Sequence, residues 1–405
     1  MKRVFYGWWV VFACFFIAFY VGGTIFFGFT AFFEPIGQET GWSYTQISIA
    51  ASLRGLEVGI LAPVAGFLVD RFGPRRLIFF GTLTTGFGFI LLSQTNSLIM
   101  FYGAFVLLAL GMSACTSTVL VTAVANWFKK NVGKALGIMA CGFGAGGILI
   151  PLIVQLINLY QWRTTFIILG LGMWLLGIPL SFLVRNKPEQ YGYLPDGETS
   201  VEQVSTPESQ DKEVGFKGAL RDRNFWHLSI AEALRMIVCM AVVTHVMPYL
   251  SSLDISRLRA ALVATSIPLL SIVGRLSFGW LGDIFDKKYV MAGAYLLTGV
   301  GVLAFSYVQT TWFIFLFLIF FPLSWGAMVL RGAIVREYFG MAFFGKIFGI
   351  MMGIVAVGEV MGPFLAGRTY DTFGSYHPIW LIFAGISIVP VILTLMMKPY
   401  KRIVE

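Results

Sequence analysis

Charge is what this chain has least of: only 12% of its 405 residues are Asp, Glu, Lys or Arg, against roughly 25% in an average soluble domain. With 58% hydrophobic residues and a mean hydropathy of +0.81, too little polar surface remains to cover a water-soluble fold. Histidine is nearly missing, at three residues. The four cysteines, Cys14, Cys115, Cys141 and Cys239, sit singly inside apolar stretches with no CxxC or metal-ligand spacing, so they read as small packing residues and no metal site is expected. A nucleophile elbow and a phosphate loop are lacking too. The glycine-rich run Gly142 to Gly147 has neither the Gly-Lys-Ser/Thr ending nor a preceding strand, and reads as close helix packing. Neither an enzyme nor a bound cofactor is expected.

What the chain does have is long apolar runs. Crossing the ~30 Å hydrocarbon core takes about 20 apolar residues, and breaking the sequence at polar, charged or Gly/Pro clusters yields twelve such spans. They cover 6–33, 44–69, 76–94, 98–125, 135–158, 163–185, 225–250, 258–282, 289–308, 311–335, 346–370 and 378–397. The first follows Lys2 and Arg3, but runs from Tyr6 to Phe33 without a small-residue cleavage site and reads as a retained helix. The expected fold is an all-α membrane protein with twelve transmembrane helices in two six-helix bundles.

The formal net charge of +9 invites an acidic partner, but its distribution follows topology. With a cytoplasmic N-terminus, only Arg163, Arg257, Arg259 and Arg368 of the 29 Lys and Arg residues lie outside, and Arg54, Arg235, Arg275 and Arg331 fall within spans. The rest lie inside. This asymmetry places both termini in the cytoplasm, in a multi-pass protein of the inner (plasma) membrane. The bilayer is the expected partner and nucleic acid is not.

One long polar stretch, 186–223, is rich in Glu, Ser, Gln, Pro and Asp, as a solvated linker would be. It divides the chain into six-helix bundles at 1–185 and 224–405. An internal repeat supports the division. Gly66-Phe-Leu-Val-Asp70 returns in the second half as Gly279-Trp-Leu-Gly-Asp283. At nearly the same offset, Gly133-Lys134-x-x-Gly137-Ile-Met139 returns as Gly345-Lys346-x-x-Gly349-Ile-Met351, with Pro151 matched by Pro363. Two echoes so nearly in step imply parallel halves with a pathway between them.

The string from Gly66 through Asp70, Arg71, Gly73, Arg75 and Arg76 resembles the loop signature between helices 2 and 3 of the major facilitator superfamily. More narrowly, Tyr6-Gly7-Trp8-Trp9-Val10-Val11 is similar to the first signature of monocarboxylate transporters, with Tyr6 where that family has an acid. Trp127, Phe128, Lys130, Ala135, Gly137, Gly142 and Gly146 match their second signature, entering helix 5. Arg275, eight residues before Asp283, stands where that family carries the arginine that binds the substrate carboxylate. Two positions depart from it. Ser271 stands where animal members have an acid, and Glu359 where bacterial oxalate exchangers have a lysine, which weighs against a dicarboxylate substrate.

Charges inside a bilayer are costly, so those retained face a partner or a wet cavity. Arg275 is too deep to snorkel easily and its planar fork can grip a carboxylate; Ser271, one turn away, either donates to the same anion or packs as a small residue. His245 is a substrate-site or protonation candidate, or else a satisfied polar residue. Trp325 and Arg331 line the inner half of a cavity or, for Arg331, snorkel. Arg54 and Glu57, like Glu232 and Arg235, are spaced to neutralise each other, while Glu57 and Glu359 are also the carboxylates best placed for a proton relay. Asp70, Arg71, Arg75, Arg76 and Asp283 read as a cytoplasmic gate.

The resemblance and these residues together imply a secondary transporter, for which a monomer is the simplest expectation. It would move a small organic monocarboxylate such as lactate or pyruvate by alternating access with proton symport. An organic anion antiporter, or an exporter of larger amphipathic anions suited to the 39 phenylalanines, is the alternative.

Overall fold

The computed structural model of the protein describes residues 5–53, 55, 61–115, 117–128, 131–191, 216–340 and 343–398, except for the side chains of 62, 63 and 117. Among these residues every regular element is helical. Ten stretches are long and apolar enough to cross a membrane: Gly7–Thr40, Pro74–Ser93, Leu98–Ala125, Val132–Leu183, Arg223–Ser251, Arg257–Ile284, Lys287–Ser306, Thr311–Phe339, Phe344–Phe373 and His377–Leu395.

Two observations bring the ten to twelve. Val132–Leu183 would be about 78 Å long at 1.5 Å per residue, more than twice the hydrocarbon core. Its chain breaks at Gln161 (φ 64°, ψ 165°), where one helix ends and the next begins. Two further helical pieces, Tyr44–Ser52 and Ala62–Phe72, fall where one more span is expected from the sequence. In chain order the spans are therefore α1 (Gly7–Thr40), α2 (the two pieces just given), α3 (Pro74–Ser93), α4 (Leu98–Ala125), α5 and α6 on either side of Gln161, α7 (Arg223–Ser251), α8 (Arg257–Ile284), α9 (Lys287–Ser306), α10 (Thr311–Phe339), α11 (Phe344–Phe373) and α12 (His377–Leu395).

Two spans are less regular than their apolar runs foretell. α1 passes through a π-helical turn at Gly22–Phe26 and a 3₁₀ turn at Gly28–Phe32. α10 is interrupted by a 3₁₀ turn at Ser324–Gly326, just after Pro322, whose missing N–H weakens the helix there. The glycine stripe of α5 packs closely, as its composition suggests. A Cβ on Gly142 or Gly146 would collide with the carbonyl oxygen of Phe15 or Phe19 on α1.

Each unit of the chain turns apolar side chains outward, with Trp312 76% exposed and Leu175 75%, as a lipid-facing surface requires. There are two such compact units. The first comprises Met1–Trp42, Ile49–Pro207 and Arg257–Pro268, and the second Ser43–Ser48, Glu208–Ser256 and Leu269–Glu405. Two short pieces, Ser43–Ser48 of α2 and Arg257–Pro268 of α8, thus sort with the unit that does not hold the rest of their helix.

Candidate functional site

The second unit holds most of the singled-out residues. Gly274 lets α8 approach α10 closely, since a Cβ there would stand 2.5 Å from the Leu323 carbonyl oxygen. The next residue, Arg275, consequently places its guanidinium 6.0 Å from the centre of the Trp325 ring, in the 3₁₀ turn of α10. A cation over an indole face is stabilised by about 0.5–2 kcal/mol, most where water is excluded, and Trp325 is buried. Ser271, one turn before Arg275, is fully buried. Farther along α10, Arg331 is 9% exposed, and its Nη1 has no hydrogen-bond partner among the described residues.

A neighbouring cluster goes beyond the sequence reading. Glu232 and Arg235 pair as their spacing suggests, with Arg235 Nη2 3.0 Å and Nε 3.2 Å from Glu232 Oε2. Both side chains are fully buried. Tyr295 of α9 donates to Glu232 Oε1 at 3.2 Å, and Arg235 Nη1 donates to Cys239 Sγ at 3.4 Å. Arg331 lies within electrostatic reach of Tyr295, and Glu359, half-buried on α11, within reach of Cys239. Deleting one member of such a pair costs about 3–5 kcal/mol, because the other charge stays buried.

Residue counting sets the depth of these groups. Glu232 lies nine residues from Arg223, Arg275 nine from Ile284 and Arg331 eight from Phe339. At 1.5 Å per residue Glu232 lies about 14 Å inside the N-terminal end of α7, and Arg275 and Arg331 about 12–14 Å inside the C-terminal ends of α8 and α10. The second unit therefore carries a layer of charged groups at one depth.

His245 sits elsewhere on α7, fully buried, with both ring nitrogens engaged. Nε2 lies 3.0 Å from the Pro363 carbonyl and 2.9 Å from Ser48 Oγ, and Nδ1 3.0 Å from the Tyr376 hydroxyl. The Pro363 carbonyl only accepts, so Nε2 carries the proton. Ser48 gives its own proton to the Tyr44 carbonyl and accepts from Nε2. Burial holds the Tyr376 phenol well above its usual range, so this hydroxyl stays protonated and donates to Nδ1. The arrangement satisfies a neutral imidazole completely.

Of the residues expected at a cytoplasmic gate, Asp70, Arg71, Arg76 and Asp283 are exposed and Arg75 is half-buried. The Arg75 backbone N–H donates to Asn186 Oδ1, and its guanidinium lies 5.3 Å from the Phe182 ring centre. Among the described residues Asp70, Arg71, Arg75 and Arg76 form no ion pair with one another; near Asp283, within the second unit, Lys287 pairs with Glu337 at 3.0 Å. Arg54 and Glu57 lie outside the described residues, as does Lys130. No group of His, Cys, Asp or Glu among the described residues is arranged to hold a metal.

Comparison with known proteins places this geometry. The sequence profile of the Major Facilitator Superfamily matches residues 8–276 and 242–404. Monocarboxylate transporter 12 of Mus musculus is 26% identical over 430 residues, covering 98% of this chain and 86% of the relative. The oxalate:formate antiporter of Oxalobacter formigenes is 22% identical, covering 94% and 90%. The crystal structure of the nucleoside transporter NupG superposes with a TM-score of 0.74 over 98% of this chain and 100% of that one; at 12% identity the likeness is one of fold. The chain belongs to the Major Facilitator Superfamily and is a multi-pass membrane transporter, not an enzyme.

Proposed function

We propose that the protein moves a small organic monocarboxylate, of lactate or pyruvate type, across the inner membrane by alternating access coupled to proton symport. The observation that carries this reading is the Arg275 guanidinium set against the buried Trp325, about 13 Å from the helix end, with Ser271 on the same helix face. Arg275 neutralises the substrate carboxylate, Trp325 and Ser271 shape its surroundings, and Arg331 completes the polar lining, while His245, expected from sequence at the same site, is held by Ser48, Pro363 and Tyr376 instead. The similarity to monocarboxylate transporter 12 supports the carboxylate class. The uneven distribution of Lys and Arg supports cytoplasmic termini, and the repeat supports halves at 1–185 and 224–405 joined by 186–223.

Symport with a proton makes the load electroneutral, which spares about 2.3 kcal/mol per charge against 100 mV. Glu57, with Arg54 beside it, and Glu359 are the proposed proton carriers, and Asp70, Arg71, Arg75, Arg76 and Asp283 the inner gate. The likeness to an oxalate:formate antiporter favours a second reading, anion exchange; export of larger amphipathic anions is the alternative suited to the 39 phenylalanines.

Uptake of labelled lactate into proteoliposomes, with and without an inward proton gradient, tests both. Gradient-driven uptake by wild type that falls at least about tenfold in Arg275→Ala is the expected result. Uptake indifferent to Arg275 overturns the substrate site, and uptake that needs internal anion rather than a proton gradient selects exchange.

A further inference from the structure

We propose that a cavity in the first unit, away from Arg275, is a second binding site, for organic anions that carry hydroxyl or carbonyl groups beside a carboxylate. The cavity is a depression open to solvent, with a volume of about 370 Å³, within the range of small-molecule sites. It is bounded by the end of α1, the break between α5 and α6, and the first residue of α8. All of its walls belong to the first unit.

Its electrostatics single out Arg257. Glu39, the carboxylate in the wall, is already committed: Oε1 accepts from Arg163 Nε at 2.7 Å and Oε2 from Trp162 Nε1 at 2.5 Å. Arg257 spends its hydrogen bonds on neutral acceptors, Nη1 on Asn158 Oδ1 at 3.1 Å and Nη2 on the Ala31 carbonyl at 2.8 Å. Glu34 acts on Arg257 from a distance without forming an ion pair. A guanidinium carries five N–H donors, so those two bonds leave donors to spare and, among the described residues, a charge with no carboxylate in contact.

The rest of the wall matches a polar ligand. The carboxamides of Gln38, Asn158 and Gln161 line it, with Asn158 Oδ1 engaged by Arg257 and Gln38 Nε2 donating to Glu34 Oε1 at 3.3 Å, so that the Asn158 amide N–H groups and the Gln38 carbonyl oxygen remain to meet a ligand; Pro35 and Ile157 supply an apolar side. Gln161 also holds a positive φ of 64°, a conformation that side chains other than glycine rarely adopt and that recurs at ligand sites. A guanidinium fork takes a carboxylate; three carboxamides take neutral oxygens. The volume exceeds what a three-carbon acid fills, so the preferred ligand is a longer polyhydroxy or keto acid, collected at the loop end of the bundle before transport. The ligand class, though not the cavity, rests on the organic-anion transport proposed above.

The test is calorimetric binding of gluconate, lactate and uncharged lactamide to the purified full-length protein in lipid nanodiscs. The protein carries Arg275→Ala so that the site beside Trp325 is disabled. Gluconate is expected to bind more tightly than lactate, and lactamide not to bind. Arg257→Gln and Asn158→Asp are each expected to weaken gluconate about tenfold or more. Asn158→Asp is the decisive variant. It is isosteric and hands Arg257 an ion pair, so a purely structural arginine gains from it, whereas an anion site is neutralised. Gln38→Leu, at an exposed position on the rim, is expected to weaken binding severalfold without altering the melting profile. Failure of both anions to bind, or affinity unchanged in Asn158→Asp and Gln38→Leu, overturns the proposal. Because the readout is binding, it is judged separately from the monocarboxylate reading, which fails on transport by Arg275→Ala.

Discussion

Tyr44 opens α2 and Arg257 opens α8, at matching places in the internal repeat, and Asn158 and Tyr370 stand in the same relation to each other. The contacts correspond as well. In the second unit Tyr44 stacks on Tyr370, with ring centres 4.9 Å apart and planes at 18°. In the first, Arg257 bonds to Asn158. The repeat therefore keeps the meeting points and changes what meets there. At α2 the start is sealed from within: Asp371 accepts from the backbone N–H groups of Tyr44 and Thr45 at 3.0 and 2.7 Å and from the Thr45 hydroxyl at 2.5 Å, and His245 holds Ser48 one turn on. The α8 start has no such carboxylate cap among the described residues, and its arginine faces a cavity. One start carries its own anion, and the other is built to receive one.

Breaking the sealed end gives the largest expected effects. His245→Leu leaves the Tyr376 hydroxyl without its acceptor and the Pro363 carbonyl without its donor, both buried, and is expected to destabilise the protein by about 2–4 kcal/mol. Thermal unfolding in detergent checks it; a melting temperature equal to wild type contradicts the view that His245 is a structural keystone of the second unit. Asp371→Ala removes the cap of the first turn of α2 at a site open to solvent, so the expected loss is smaller, about 1–2 kcal/mol. The same melting curves rank the two. If Asp371→Ala costs more than His245→Leu, the seal resides in the cap rather than in the buried ring.

How much of this was legible in the sequence depends on the range of the interaction. Span positions follow from the need for about 20 apolar residues per crossing, and even the break between 158 and 163 encloses the turn at Gln161. The Glu232–Arg235 pair, three residues apart, follows from helical spacing. Tyr295, 63 residues away, does not, and neither do Ser48, Pro363 and Tyr376 around His245, between 118 and 197 residues distant. Such partners are set by tertiary packing, on which a single sequence bears no mark. Arg275 and Trp325 were each conspicuous as a polar or large residue deep in a span, but the contact between them depends on Gly274, which periodicity does not distinguish from any other small residue. The irregular turns of α1 and α10 escaped because apolar runs report length, not hydrogen bonding.

The finest test of the comparison exchanges the two starts. Arg257→Tyr with Asn158→Tyr places in the first unit the aromatic pair found in the second. It should fill part of the cavity, shift stability by only about 0.5–1.5 kcal/mol, and abolish gluconate binding. The reciprocal change, Tyr44→Arg with Tyr370→Asn, is expected not to create an anion site, because Asp371 is already at hand to pair with the new guanidinium. Only the triple variant that adds Asp371→Asn should bind. If the double variant binds gluconate as well as the triple, the internal carboxylate is not what separates the two starts, and the difference must lie in the shape of the cavity around Gln161.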